Sequence, residues 1–503
     1  MIITVALVVV LATAAGAVGF GRNSRSVSVA DWAVGGRRFG TLIFWFMNAG
    51  EVYTTFAVLG ISGFAYSVGA PAYLAFLSVS LSFALGYWLM PKIWRAGRKH
   101  GLITQGDFFS ARFNAPWLGA IAGVVGIVAL VVYVQIQLVS LSLIVELTIG
   151  DAVSQPVAVA VAALMMLAFV FVAGLRSAAF AASVKDVLMI VLMVGLAVTV
   201  ASKVGASSIL DVFKLAEEKR PGIGSLPGID PTAPTTSIWL MTSGLNVALG
   251  NWIFPHLFQI SFAAESGRSI RRNAIWQPLY SLAYFFIILL GFAALVGGVT
   301  TDNANGALLQ LVSAKYPAWA VGFTAGVSVL LALAPGSVLL LTTGSIFTRN
   351  VVRPFRRDIS ERAGLLISRL SMVVFAGAAV YLTIGNSQSL LSILVDAYAA
   401  IGIMAPAVFL ALLWKRVTAI GVLAGLVAGF YALLGDGPSS YWTTHLAQVE
   451  PGLICMAIAL VVTVAVSLVT PAPPEESRRV GLALSAADAM ADRQALPQKQ
   501  AAE

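Results

Sequence analysis

Long apolar runs without charged residues recur along the whole chain, and they limit its possible folds more than any other feature. A helix of about 20 apolar residues crosses the hydrocarbon core of a bilayer. Of the 503 residues, 59% are apolar and 11% are charged, whereas a soluble domain has roughly a quarter of its residues charged. The chain is therefore predicted to be an all-α integral membrane protein that lies in a lipid bilayer.

The apolar runs predict about 13 transmembrane helices, if a long run is allowed to turn once. The predicted spans are 1–20, 41–66, 71–91, 117–147, 156–175, 184–203, 238–264, 276–300, 319–348, 366–384, 390–413, 417–434 and 452–470.

The distribution of basic residues predicts the orientation in the membrane. With the N-terminus outside, 26 of the 31 Lys and Arg residues fall in inner segments and 5 in outer segments. Such an excess is typical of the cytoplasmic side, so we expect the N-terminus outside and the C-terminus in the cytoplasm. Residues 1–20 are predicted to be an uncleaved helix, because Arg22 and Arg25 follow the apolar run, whereas a signal peptide carries its basic residues before it.

Composition also excludes several kinds of site. The single cysteine, Cys455, excludes an internal disulfide and a cysteine-based metal site. His100, His256 and His445 lie too far apart in sequence for a local metal motif. No phosphate-binding loop or catalytic triad is recognisable, so we expect no cofactor, no enzyme activity and no primary pump. The net charge of +9 reflects topology in a membrane protein and does not indicate a nucleic-acid partner.

Two of the predicted spans, 41–66 and 238–264, are poorly suited to continuous helices. Glycine lowers helix propensity and proline removes a backbone donor, and unwound backbone inside a membrane is tolerated where it lines a cavity or is covered by protein. Glycines and polar residues cluster in both spans: Asn48, Gly50, Glu51, Tyr53, Thr54, Thr55, Gly60 and Gly63 in the first, and Thr242, Ser243, Gly244, Asn246, Gly250, Asn251, Pro255 and His256 in the second.

The two interrupted spans occupy matching positions in the chain. Gly50 opens a run of five spans over 41–203, and Gly250 opens another over 238–413. Paired broken helices of this kind are typical of inverted-repeat secondary transporters with a binding site at the midplane. The alternative is that the glycines allow close helix packing.

The remaining segments are predicted to lie outside the two five-helix repeats. Residues 1–20 form an additional N-terminal helix, and 417–470 form two C-terminal helices. Residues 204–237 form an external loop, and 471–503 form a disordered cytoplasmic tail that is rich in Pro, Ala and charged residues.

Short motifs over about residues 30–425 resemble those of the sodium/solute symporter family. They are Arg38-Phe39-Gly40, residues 60–66 with Gly69, residues 104–113 (TQGDFFSARF), Tyr133 with Gln137, Gly174-Leu175-Arg176 and residues 346–350 (IFTRN). Four further features resemble bacterial monocarboxylate permeases within that family: residues 51–56 (EVYTTF), Pro255-His256, Val184-Lys185-Asp186 and the FTRN ending.

This resemblance implies a LeuT-like core of five plus five helices in a bacterial inner membrane. It also implies ion-driven uptake of small monocarboxylates such as pyruvate, lactate or acetate by alternating access. Two alternatives stay open at this stage: a sodium-coupled symporter of an amino acid or vitamin, and a sensor that keeps the fold without transport.

One departure from the family concerns its core sodium site. The resemblance implies backbone carbonyl ligands near Gly50 and Tyr53, a carbonyl near Leu331, and two hydroxyl ligands at the positions of Ala334 and Pro335. Neither of these last two side chains carries an oxygen. Since a hard cation is bound through oxygen ligands, this departure predicts weakened sodium binding and favours the proton as the co-transported ion.

Lys185, Asp186 and Glu51 are the candidates for ion coupling. Lys185 lies near the inner end of the fifth core helix, where an ammonium can replace the sodium charge or carry a proton; alternatively it extends to the inner interface beside Asp186. Glu51 lies within an apolar span, where a carboxylate needs a partner or a proton. It either carries a proton, pairs with Lys185, or is a protonated acid bonded to unwound backbone.

His256 follows Pro255 in the second broken span. It either binds a carboxylate or relays a proton, or it is a neutral ring that satisfies a carbonyl freed by the proline. Polar groups in the two broken spans and in the fourth span are predicted to line the substrate site, together with half-helix N-termini. The predicted substrate-binding residues are Glu51, Tyr53, Thr54, Thr55, Gln137, Asn246, Asn251, Trp252 and His256.

Overall fold

The computed structural model describes residues 33–149, 154–356, 358–384 and 389–474. These residues are mostly helical and contain no β-strand; an isolated bridge joins Phe39 to Ala264. The predicted first span, 1–20, lies outside the described residues, as do residues 475–503 of the predicted tail.

The described residues of the first half of the chain contain eight α-helices, which we number in chain order. They are α1 (Thr41–Val52), α2 (Ile61–Ser67), α3 (Leu74–His100), α4 (Gln105–Phe113), α5 (Pro116–Ile149), α6 (Gln155–Lys203), α7 (Ile209–Lys219) and α8 (Ser237–Asn251).

The second half contains eleven α-helices among the described residues. They are α9 (Pro255–Ala263), α10 (Gly267–Tyr280), α11 (Ala283–Val296), α12 (Ala307–Lys315), α13 (Ala318–Ile346), α14 (Glu361–Thr383), α15 (Leu390–Gly402), α16 (Ala405–Leu413), α17 (Ala419–Leu434), α18 (Asp436–His445) and α19 (Pro451–Val469).

Many of these helices begin where a serine or threonine precedes the first turn. The hydroxyl accepts a hydrogen bond from the backbone N–H three residues later and satisfies a donor that the helix leaves unpaired. This cap occurs at Thr104, Ser208, Thr236, Ser266, Ser360, Ser389 and Thr418.

Eight helical segments of the described residues are long and apolar enough to cross a membrane, and ten if each of two bent pairs counts as one span. The predicted spans 156–175 and 184–203 both fall within helix α6. The predicted span 238–264 is divided between the shorter helices α8 and α9. The described residues therefore form a multi-span helical membrane protein, and the count of 13 spans stays a prediction.

Both of the spans that the sequence predicts to be broken are interrupted. Helix α1 ends at Val52, a π-helical segment Phe56–Gly60 leads into α2, and the two halves are bent by 48°. Helix α8 ends at Asn251, and Pro255 opens α9, a position at which the missing N–H of proline costs no helical hydrogen bond.

A network of polar side chains joins α4 to the π-helical segment Phe347–Val352 that follows α13. The Asp107 carboxylate accepts hydrogen bonds from Arg349 Nε at 3.1 Å and from Asn350 Nδ2 at 3.2 Å. The Thr104 hydroxyl donates to Asn350 Oδ1 at 2.7 Å. Two motifs on which the family resemblance rests are therefore in direct contact.

The segment after α6 carries helix α7 and is held against the helical core. Lys219 at the end of α7 donates to the carbonyl of Val296 at 2.7 Å, at the C-terminus of α11. The exposed Glu217 carboxylate accepts hydrogen bonds from the backbone N–H groups of Gly222 and Gly224, which hold its pKa below the usual value.

Helices α17 and α19 pack through a column of small residues. Gly421, Gly425 and Gly429 recur every four residues on α17, the spacing that lets membrane helices approach closely. A methyl group at Gly425 would collide with the hydroxyl of Thr463 on α19 and lie 2.6 Å from the carbonyl oxygen of Ala459. The close approach therefore depends on the absence of a side chain.

Helix α19 also packs against α15 through glycines. A methyl group at Gly452 would lie 2.8 Å from Cα of Ala399, and one at Gly402 would lie 2.9 Å from Cε of Met456. The backbones of α15 and α19 are therefore nearly in contact at this level.

We predict that Gly425→Leu destabilises the protein, because the added side chain must separate α17 from α19. The expected loss is about 1–3 kcal/mol of unfolding free energy, as for other overpacked interiors, measured by thermal or denaturant unfolding in detergent. Gly377→Leu on α14 is the matched control, since no atom lies within 4 Å of a methyl group at that position. Equal stability of the two variants would contradict the proposed packing.

Candidate functional site

Both broken spans border one internal cavity of about 40 Å³. A water molecule requires roughly 10–15 Å³ on this scale, so the cavity has room for about three waters or a ligand of a few heavy atoms. Its polar lining consists of Glu51 from α1, Ser78 and Ser82 from α3, Tyr133 from α5, Asn251 from α8, His256 from α9, Tyr284 from α11 and Tyr398 from α15.

The buried ammonium of Lys185 on α6 lies at the break of the first span. It donates to the carbonyl oxygens of Gly50 and Tyr53, each at 2.9 Å, and to Asp186 Oδ1 at 2.8 Å. An ammonium has three N–H donors, so all three are used. Lys185 is 1% exposed, which rules out the alternative in which its side chain extends to the membrane surface.

Glu51 and His256 bring the two broken spans together inside the cavity. Their atoms Oε2 and Nε2 are 3.6 Å apart, and both side chains are buried. Within the described residues, neither Glu51 Oε2 nor His256 Nδ1 has a hydrogen-bond partner. The pair therefore has unused polar atoms at the cavity.

The described contacts bear on the predicted alternatives for the two residues, whose roles stay predictions. Glu51 makes no described hydrogen bond to unwound backbone, and the three donors of Lys185 are used elsewhere. The carbonyl of Ile253 in the second break accepts a hydrogen bond from Gln105 Nε2 at 2.5 Å, and not from His256.

Asn251 closes α8 with its side chain at the cavity. The Tyr398 hydroxyl donates to Asn251 Oδ1 at 2.9 Å, while Asn251 Nδ2 has no partner among the described residues. Because Tyr398 holds the amide oxygen, the amide N–H groups are left as free donors. The arrangement can donate a hydrogen bond to an acceptor in the cavity.

Aromatic rings pack around this polar cluster. The ring of Phe254, in the second break, lies 5.3 Å from Tyr133, 5.5 Å from His256 and 4.9 Å from Tyr398 between centroids. Phe254 is buried and packs against three residues that line the cavity: Tyr133, His256 and Tyr398.

Four other predicted site residues do not line the cavity: Tyr53, Thr54 and Thr55 at the first break, and Gln137 on α5. The Tyr53 hydroxyl donates to the carbonyl of Tyr280 at 2.8 Å, and Thr55 Oγ1 donates to the carbonyl of Ser328 at 2.9 Å. Thr54 Oγ1 and both amide atoms of Gln137 are buried without a described partner. Their roles in binding stay predictions.

Asn246 and Trp252 also lie away from the cavity lining. The Asn246 side chain packs between Gly402 and Gly452, where α8, α15 and α19 meet. The Trp252 indole N–H donates to the carbonyl of Ser82 at 2.5 Å. The structure therefore gives Trp252 a packing contact with α3.

The helix that carries the predicted sodium-ligand positions runs beside the first break, and Thr55 is bonded to it at Ser328. Leu331, Ala334 and Pro335 are all buried within α13. Ala334 and Pro335 present no side-chain oxygen. Across the described ranges, no group of three His, Cys, Asp or Glu side chains is arranged to hold a metal ion.

Tyr133, Tyr284 and Tyr398 line the cavity and are not among the predicted site residues. A tyrosine buried among apolar residues usually needs a hydrogen-bond partner for its hydroxyl. Tyrosines at the centre of apolar spans were therefore an available signal for the site.

Comparisons with known proteins agree with this architecture. The sequence model of the sodium:solute symporter family matches residues 32–429. The uncharacterized symporter YhjB of Bacillus subtilis is 31% identical over 460 residues, which cover 89% of this chain and 93% of that protein. The monocarboxylate transport permease protein of Rhizobium johnstonii is 28% identical over 458 residues, with coverage of 88% and 91%.

The fold is shared with solved transporters. A sodium-coupled sialic acid symporter in a substrate-bound outward-open state superimposes with a TM-score of 0.76 at 15% identity, and covers 94% of this chain and 99% of that one. The predicted all-α fold class with an inverted-repeat core is confirmed. The predicted boundaries of the repeats stay predictions.

We predict that Lys185→Met destabilises the first break, because it leaves two buried carbonyls and the Asp186 carboxylate without their donor. Breaking a buried charge pair costs about 3–5 kcal/mol, measured as unfolding free energy in detergent. The double variant Lys185→Met/Asp186→Asn should recover part of this loss, since it removes the unpaired charge. Additive losses would show that the pair does not act as a unit.

Proposed function

Because the chain belongs to the sodium:solute symporter family, we propose that it imports small monocarboxylates such as pyruvate, lactate or acetate across the bacterial inner membrane, with a proton as the coupling ion. The observation that carries this proposal is that the Lys185 ammonium donates hydrogen bonds to the carbonyl oxygens of Gly50 and Tyr53. A tethered cation at this break removes the need for a sodium ion there.

Three observations support the substrate class. The relative from Rhizobium johnstonii is a monocarboxylate transport permease protein. The cavity of about 40 Å³ suits a ligand of a few heavy atoms. Asn251 Nδ2 and His256 Nδ1 are buried without a partner in the described part of the chain, and an N–H of this kind is a suitable donor to a carboxylate oxygen.

Two features support a proton as the coupling ion. Ala334 and Pro335 offer no side-chain oxygen, so the hydroxyl ligands that the family resemblance implies are absent. Glu51, Lys185, Asp186 and His256 are titratable groups at or beside the cavity, and intramembrane groups of this kind form proton pathways in transporters.

Alternating access is supported by the position of the cavity between the two broken spans. Glu51 and His256 belong to different halves of the proposed repeat and lie 3.6 Å apart. A rocking movement of one half against the other would expose such a midplane site to each side in turn.

Uptake by the purified protein in liposomes tests the proposal. With labelled pyruvate, an outside-acidic pH gradient without sodium should drive accumulation above that of protein-free liposomes, and a sodium gradient at equal pH should not. Accumulation that needs sodium and ignores pH would contradict the proton as coupling ion. Failure to transport pyruvate, lactate and acetate under either gradient would contradict the substrate class.

The proposed orientation, with an external N-terminus and a cytoplasmic C-terminus, predicts the accessibility of two loops. The native Cys455 is buried, so it gives little background labelling. Ser225→Cys, in the external segment after α7, should react with a membrane-impermeant maleimide added to intact cells. Asp358→Cys, in the basic segment before α14, should react after the membrane is permeabilised. The reverse pattern would invert the topology.

A further inference from the structure

Positive charge is concentrated on two helix ends at the predicted inner face of the protein. Residues 88–100 at the end of α3 and residues 267–280 of α10 contain no Asp or Glu. Glu265, just before α10, accepts a hydrogen bond from the Ser269 hydroxyl at 3.1 Å. The basic residues of the two helix ends are Lys92, Arg95, Arg98, Lys99, Arg268, Arg271 and Arg272.

The two helix ends form one surface because α3 and α10 pack against each other in antiparallel directions. A methyl group at Gly267 would lie 3.5 Å from the ring of Trp94 and 3.9 Å from Pro91. One turn later on α10, the Arg271 guanidinium lies over the ring of Tyr87, 5.9 Å from its centroid. The contacts therefore advance along α10 as they retreat along α3, and basic residues of both helices lie along one line of contact.

Lys92 and Arg271 are available to a ligand outside the protein. Arg271 is exposed and Lys92 is half-buried, and neither has a hydrogen bond or an ion pair within the described part of the chain. Lys92 follows Trp88 by four residues, so the two lie on the same side of α3. A guanidinium that stacks on an aromatic ring, as Arg271 does on Tyr87, keeps its planar N–H groups for another partner.

Other basic side chains in the predicted inner segments are bound by the protein itself. Backbone carbonyls accept hydrogen bonds from three of these side chains, and carboxylates pair with two. The three are Arg37, Arg112 and Arg416, and the two are Arg349 and Arg353. Location at this face therefore does not by itself leave a basic side chain available.

Exposed tryptophans indicate where the membrane surface lies on these helices. Trp88 on α3 is 70% exposed and Trp276 on α10 is 58% exposed. They lie near the inner ends of the predicted spans 71–91 and 276–300, and tryptophan is enriched where lipid headgroups meet the hydrocarbon. Lys92 follows Trp88 and Arg271 precedes Trp276, so both basic groups lie on the headgroup side of these rings.

We propose that the surface formed by Trp88, Lys92, Arg271 and Trp276 is a binding site for one anionic phospholipid of the adjacent leaflet. The planar N–H groups of Arg271 match two oxygens of the headgroup phosphate, and Lys92 supplies a second positive charge. Basic pockets between transmembrane helices bind anionic headgroups on the cytoplasmic side, the side that the proposed orientation gives to this surface. Such a site does not depend on which substrate is transported.

The acyl chains of the lipid have an apolar surface next to the headgroup site. Ile275 and Leu279 on α10 are 58% and 57% exposed and lie on the same side of the helix as Trp276. They follow Arg271 by four and eight residues, toward the predicted membrane interior. One lipid therefore meets charged groups at its phosphate and apolar side chains along its chains.

A lipid at this site connects two helices that are far apart in sequence. The Trp94 indole N–H donates to the carbonyl of Ala264 at 2.8 Å, and Arg98 donates to the carbonyl of Glu265 at 2.7 Å. These bonds already join α3 to the segment between α9 and α10. A phosphate bound by Lys92 and Arg271 adds a second connection, so we expect the lipid to raise the unfolding temperature of the protein.

Native mass spectrometry of the purified protein in detergent tests the proposal, because it counts bound lipids. The protein is titrated with phosphatidylglycerol and, separately, with phosphatidylcholine of the same acyl chains. We expect the first phosphatidylglycerol to bind about 25-fold more tightly, since each basic residue near an anionic lipid contributes about fivefold in affinity. Lys92→Gln/Arg271→Gln should bind the two lipids equally, and phosphatidylglycerol should no longer raise its unfolding temperature above that in phosphatidylcholine.

Arg362→Gln/Arg369→Gln on α14 is the matched control. It removes the same charge from two exposed arginines at the same predicted face, and neither of them has a described hydrogen bond or ion pair. This control should keep the wild-type preference for phosphatidylglycerol. Equal losses in the two double variants would assign the preference to net charge and overturn the proposed site.

Two results with the wild-type protein would also overturn the proposal, even if Lys92→Gln/Arg271→Gln does not fold. One is equal affinity for phosphatidylglycerol and phosphatidylcholine. The other is displacement of phosphatidylglycerol by excess inorganic phosphate at constant ionic strength, because the surface would then bind a free anion and not a lipid. Neither measurement involves transport, so failure here leaves the proposed function untouched.

Discussion

The structure depends on how unwound backbone is satisfied inside an apolar interior. Each break frees carbonyl groups that water cannot reach, and an unsatisfied polar group there is costly. In the first break, the ammonium of Lys185 satisfies Gly50 and Tyr53. In the second, Gln105 satisfies Ile253. Because these side chains come from neighbouring helices, each break is stable only within the assembled bundle, and the cavity exists between the two.

The lysine also determines what the first break can do with ions. A sodium ion on two carbonyls would be exchangeable, whereas an ammonium on a side chain stays with the protein. The Asp186 carboxylate lies 2.8 Å from the Lys185 ammonium, between Oδ1 and Nζ. The two charges balance each other locally, so the pair adds little positive potential to attract an anion into the cavity.

Much of the fold follows from patterns that are local in sequence. The apolar runs predict the helices, and clusters of glycine and polar residues predict breaks that occur at Val52 and Asn251. Glu51 and His256 stand out in the sequence because titratable groups are rare in apolar spans. Which of them meet was not predictable, since a 3.6 Å contact between residues 205 positions apart depends on packing of whole helices.

The cavity wall shows the limits of sequence reasoning more clearly. Tyr133, Tyr284 and Tyr398 lie on three helices whose order in the chain gives no information on their convergence. Trp252, beside the second break, was predicted to line the site, yet its indole is bonded to the carbonyl of Ser82. Residue type indicates that such a side chain needs a partner, while the tertiary structure decides whether that partner is a ligand or the protein.

The packing of α19 against α15 has a consequence for how the protein is made. Ala399, next to the cavity residue Tyr398, packs against Gly452 at the start of α19. A ribosome synthesises a chain from its N-terminus at about 5–20 residues per second, so the residues described as lining the cavity are synthesised seconds before α19. Until translation passes Pro451–Val469, the helix that carries Tyr398 lacks the neighbour that packs against Ala399 in the finished protein.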